Sequence, residues 1–98
     1  MAEKIYRLVL ANPRDEWYQL SKEEQDSLWA KVTKLFEEAG GKRIIVCGSR
    51  WSSETMYGFM VEEFPDIKAE QKYVQALEEM NWFRYHNATT YLGTKWEA

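Results

Sequence analysis

Apolar residues along this 98-residue chain fall into clusters of two different periods. The first, Ile5 to Ala11 (IYRLVLA), is aliphatic and β-branched and stops at Asn12-Pro13, a turn-forming dipeptide, so it predicts a strand. A polar loop carrying Trp17 and Tyr18 follows. Ser21 and Glu24 then fit the S-x-x-E capping box, in which a hydroxyl and a carboxylate satisfy backbone groups left open at a helix start. Beyond it Leu28, Trp29, Val32, Leu35, Phe36 and Ala39 trace one stripe of a 3.6-residue helix, which Gly40-Gly41 closes. Arg43 to Gly48 (RIIVCG) predicts a short strand, Ser49 to Ser53 a loop, and Thr55 to Phe64 (TMYGFMVEEF) a longer strand. Pro65-Asp66 ends that strand, with Asp66 as the N-cap of a second helix. Its buried stripe is Ala69, Tyr73, Val74, Ala76, Leu77 and Met80. Trp82 to Leu92 (WFRYHNATTYL) predicts the last strand, before a polar tail with Trp96.

The order β-α-β-β-α-β is the ferredoxin-like α+β arrangement: one four-stranded antiparallel sheet with two helices on one face. A sheet covered on one side alternates between apolar and polar residues. Here Ile5 and Val9 share one parity and Tyr6, Leu8 and Leu10 the other, and all are apolar. Ile44/Val46 against Ile45/Cys47, and Met56/Met60 against Tyr57/Phe59/Val61, repeat the pattern. Something apolar must cover the second face, and a second copy of the chain is the economical answer. The expectation is one domain over residues 1–98, paired sheet to sheet as a homodimer that closes an α+β barrel.

Composition narrows the partners. Thirteen Lys and Arg against sixteen Asp and Glu leave a net charge of −3, without the basic footprint that nucleic acid or an anionic membrane requires. Cys47 is the only cysteine, so there is no internal disulfide and no C-x-x-C ligand pair. No apolar run has signal-peptide or membrane-spanning length, and the expected location is the cytoplasm.

The element order with two-faced strands resembles the dimeric α+β barrel superfamily. Two segments, WYQLSKEE at Trp17 to Glu24 and MNWFRYHNATTYLG at Met80 to Gly93, are similar to small darcynin-like bacterial members. The resemblance implies the fold and the dimer. It also implies a relationship to cofactor-free monooxygenases, polyketide cyclases, muconolactone isomerase and haem-degrading enzymes, without selecting one reaction.

His86 is the only histidine, and its ordinary pKa makes it the candidate general acid or base. If residues 82–92 were all strand, Trp82, Arg84 and His86 would share a face. Arg84 could then hold a carboxylate or enolate while the imidazole moves a proton. Tyr57 is the candidate phenol for a substrate carbonyl. Five tryptophans is several times ordinary usage. Trp17 with Tyr18, Trp51 and Trp82 are the candidate walls for an aromatic or hydrophobic ligand; the alternatives are core packing for Trp82, and capping of the barrel ends or packing at the dimer edge for the loop aromatics. Arg50-Trp51-Ser52-Ser53 matches no phosphate-loop spacing, and Ser49, Ser52 and Ser53 have no nucleophile motif around them. Cys47 reads as a small buried hydrophobe. Glu62 and Glu63 are consecutive in a strand and point to opposite faces. A zinc site lacks ligands, whereas haem on His86 is an alternative that only the superfamily resemblance suggests.

Two functions remain open on these residues. One is a cofactor-independent enzyme of the cyclase, isomerase or monooxygenase type, acting on an aromatic or polyketide-like molecule by proton transfer. The other is a non-catalytic dimer that binds a small molecule or a protein.

Overall fold

Both long helices begin at their capping residues. In a computed structural model, which describes residues 3–97, the Ser21 hydroxyl accepts from the Glu24 amide while the Glu24 carboxylate accepts from the Ser21 amide. The Asp66 carboxylate accepts from the Ala69 amide at 2.8 Å. The elements are β1 (Ile5–Pro13), α1 (Asp15–Tyr18), α2 (Lys22–Glu38), β2 (Lys42–Gly48), β3 (Gly58–Phe64), α3 (Ile67–Glu79), a 3-10 turn (Trp82–Arg84) and β4 (His86–Gly93). The sheet order is β2-β3-β1-β4 with every neighbouring pair antiparallel, which is the ferredoxin-like α+β topology.

One sheet face meets the helices. Val32 and Phe36 of α2, Tyr73 and Leu77 of α3, Phe64 of β3 and Trp82 form the buried core. Phe36, Phe64 and Tyr73 meet with ring centroids 5.3–5.6 Å apart, two of the three pairs edge to face. Gly41 is obligatory beneath this cluster, since a Cβ there would stand 2.4 Å from the Phe36 ring. The other sheet face carries Leu8 opposite Val61 and Tyr91, with Ile45 beside Val61. Ile45 and Tyr91 keep 50% and 62% of their surface open, so the expected two-faced sheet is present.

Three boundaries differ from the sequence expectations. First, β1 runs through Asn12-Pro13 rather than turning there. β3 has already stopped pairing at Ala11, so Pro13 faces only His86 of β4 and its missing N–H removes no bond to β3.

Second, β3 begins at Gly58, not Thr55. The Ser53 hydroxyl accepts from the Thr55 and Met56 amides, and the Asn12 side chain accepts from the Tyr57 amide, which holds residues 53–57 out of the ladder.

Third, residues 82–85 are not strand. Asn81 takes a left-handed conformation (φ 62°) after α3 and throws Trp82 into the core. The following turn is closed by Arg84 and Tyr85 amides donating to the Asn81 and Trp82 carbonyls. Residues 17 and 18, expected in a loop, lie on the short helix α1.

Candidate functional site

A cavity of about 120 Å³ lies between the inner sheet face and helices α2 and α3. One end is aromatic. The His86 imidazole, on the first residue of β4, stacks on the Trp82 indole with centroids 4.1 Å apart and planes 18° apart. Trp17 of α1 covers it from another side at 4.6 Å and meets Trp82 edge to face at 5.6 Å. A hydrogen bond from the Gln25 amide group to the Trp17 carbonyl, 2.9 Å long, ties α1 to α2 and fixes this cover. Trp29 of α2 continues the row, 5.8 Å from Trp82.

Burial between these rings pulls the His86 imidazole down from 6.5 to about 4, because the charged form has lost its water. Its Nδ1 is buried without a hydrogen-bond partner among the described residues. At neutral pH the ring is therefore uncharged, with one nitrogen free to accept.

The other end is charged. Arg7 of β1 donates through Nη1 to the Glu62 carboxylate of β3 at 2.8 Å, and its Nε lies 3.4 Å from the Glu70 carboxylate of α3. All three side chains are buried. Arg43 of β2 approaches the second oxygen of Glu62 only to 3.7 Å. Its guanidinium instead lies over the Phe36 and Trp29 rings at 4.7 and 5.1 Å. The Nε atoms of Arg7 and Arg43 are buried without a hydrogen-bond acceptor among the described residues. Burial raises the Glu70 carboxyl above its ordinary range, against the pull of Arg7, and pushes the Tyr73 phenol up to about 12.

The sequence candidates divide around this cavity. His86 and Trp82 line it, and Trp17 closes over His86. Arg84 does not join them: the 3-10 turn breaks the alternation that would have aligned it with His86, and its side chain is exposed beside Tyr85. Tyr57 belongs to the loop at the same end of the sheet, but it is half exposed beneath the Arg50 guanidinium and does not line the cavity. Tyr18 and Trp51 are exposed, Trp51 at 88%. Glu62 and Glu63 do face opposite ways, Glu62 inward to Arg7 and Glu63 outward to Tyr6.

The cavity's charged end was not foreseen. Arg7 is a single charge within an apolar run and Arg43 follows Lys42 at the head of another, and the signal for both is their place on strands antiparallel to the one carrying Glu62.

A haem does not fit this cavity as built. Pockets for drug-sized ligands, smaller than a tetrapyrrole, hold roughly 300 Å³ or more, against the 120 Å³ present. Among the described residues, no three His, Cys, Asp or Glu side chains converge as a metal site requires, and no helix is long and apolar enough to cross a membrane.

No family model matches the chain, and no curated protein matches it. Solved structures do. Chlorite dismutase from Candidatus Nitrospira defluvii, in complex with imidazole, matches 97% of this chain with 41% of its own, at a TM-score of 0.76 and 13% identity. This chain thus spans about two-fifths of the chlorite dismutase chain. SnoaB, a cofactor-independent oxygenase from Streptomyces nogalater, matches 99% of this chain with 97% of its own, at a TM-score of 0.60 and 13% identity. At 13% identity the likeness is one of fold, and this chain adopts the same ferredoxin-like α+β fold that these structures contain.

Proposed function

We propose that this chain is a cofactor-independent enzyme that moves a proton on a small aromatic compound held between its sheet and helices. The state of His86 is the observation that carries this reading: an uncharged imidazole with an unpartnered nitrogen, walled by Trp17 and Trp82 in a cavity with arginines at its far end. A pKa near 4 makes His86 a weak base toward a neutral environment. A substrate that develops negative charge beside it favours the imidazolium, so proton transfer becomes coupled to binding. The carbanion or enolate left behind can isomerise, cyclise or react with oxygen, and SnoaB, described as a cofactor-independent oxygenase, supports including the last. Size restricts the substrate: a cavity of about 150 Å³ takes up benzene, so the 120 Å³ here sets a single ring as the upper limit and leaves no room for a polycyclic polyketide.

The same reading has one domain working as a homodimer in the cytoplasm, where a lone thiol such as Cys47 stays reduced. The open apolar face around Leu8, Val61 and Tyr91 supports the dimer. A second reading, binding without turnover, is favoured by the weakness of His86 as a base.

Incubation in D₂O with single-ring phenols and aromatic β-keto acids separates the two. Wild-type protein is expected to accelerate deuterium incorporation into the substrate, and His86→Gln to lose it. Exchange that persists in folded His86→Gln removes the catalytic role of His86. Binding without exchange leaves the second reading.

A further inference from the structure

Resting on the small-molecule reading of the cavity, we infer that its ligand carries a carboxylate, and that Arg43 receives it at the rim while the ring lies against the Trp29–Trp82–His86 row. Arg7 and Arg43 share the acidic groups unequally. Arg7 holds Glu62 in a short hydrogen bond and has Glu70 at its Nε. Arg43 is left with an oxygen 3.7 Å away, beyond hydrogen-bond reach, and with two aromatic faces. A guanidinium held over rings and beside the Tyr73 hydroxyl is fixed in place, its nearest carboxylate oxygen is 3.7 Å away, and a planar carboxylate matches its donor fork.

The position of Arg43 favours capture. Its side chain is 23% exposed where those of Arg7 and Glu62 are 6% and 1%, so it stands where the cavity meets solvent. A ligand can therefore reach Arg43 without breaking the buried Arg7–Glu62 pair. The interior beyond it is apolar and aromatic, lined by Val9, Met60, Leu77 and the indoles. Its size accepts no more than one ring, and the His86 side chain lines its far end. The ligand class is thus a single-ring aromatic carboxylate with its acid at the rim and its body inside.

The test uses benzoate and its neutral isostere benzamide, read by the ring proton signals of His86, which are unique because the chain has one histidine. Benzoate is expected to shift those signals saturably and to bind about tenfold more tightly than benzamide, as one charge-assisted bond implies. Arg43→Met should abolish that preference while leaving benzamide binding in place, and Arg43→Lys should retain part of it. Equal binding of the two compounds to wild type overturns the carboxylate assignment and leaves the cavity reading standing. A benzoate preference that survives in Arg43→Met removes Arg43 as the receptor. If Arg43→Met does not fold, the wild-type comparison and Arg43→Lys still decide. Failure of both compounds to shift His86 overturns this inference together with the cavity reading beneath it.

Discussion

The His86 imidazole and the Trp82 indole lie stacked, 4.1 Å apart and 18° from parallel, although they stand four positions apart in the chain. A continuous strand would have held their side chains well apart along the sheet. The left-handed Asn81 and the 3-10 turn fold Trp82 back beneath the start of β4, and the pair is what desolvates the ring.

That desolvation gives stability a particular pH dependence. The folded pKa of His86 lies near 4 and the ordinary value at 6.5, so between these values the unfolded chain binds more protons. The contribution of His86 is complete above 6.5 and lost as pH falls toward 4. Glu70, whose carboxyl is raised by burial, acts in the opposite sense within part of this window. Comparison of wild type with His86→Phe isolates the histidine: melting temperature should fall several degrees further in wild type across this range. Parallel curves would show that the imidazole titrates normally.

Trp17 is the cover that can be removed. Trp17→Ala should cost about 2 kcal/mol in urea denaturation, less than a fully buried indole. It should also return the His86 pKa toward 6.5, by about one unit or more. NMR titration of the single histidine reads this directly. An unchanged pKa would place the desolvation with Trp82 alone.

The Arg7–Glu62 pair is buried at 6% and 1% side-chain exposure. Glu62→Leu alone should destabilise the protein by about 3 kcal/mol, because it leaves the buried guanidinium with only the Glu70 carboxylate, 3.4 Å from its Nε. Arg7→Met combined with Glu62→Leu should recover much of that loss. Additive losses in the double variant, measured by denaturant unfolding, would show that the pair is not coupled.

On the open sheet face, Leu8→Glu places a charge between Val61 and Tyr91. In native mass spectrometry wild type is expected at the mass of two chains and the variant at 11.7 kDa. A wild-type monomer would end the homodimer proposal.

Much of the fold was readable because its signals are local. The Ser21–Glu24 box, the Asp66 cap and the Gly40-Gly41 stop each act within a few residues; α2 begins and ends, and α3 begins, beside them. Residues 82–85 misled because WFRY is good strand material, and only the burial of Trp82 against α2 and α3 overrides that preference. In the site, His86 was visible as the lone histidine. Arg7 and Arg43 were not, since the carboxylate that Arg7 bonds lies 55 positions away and meets it only through strand pairing.

The Arg7–Glu62 bond also bears on how the strands align. β1 and β3 carry apolar residues on both faces, so the apolar pattern alone holds their register weakly. Sliding one strand past the other by two residues would set Arg7 across from Met60 or Phe64 and take from the buried guanidinium its short bond to Glu62. Hydrophobicity brings these strands together, and one buried ionic contact tells them where to stop.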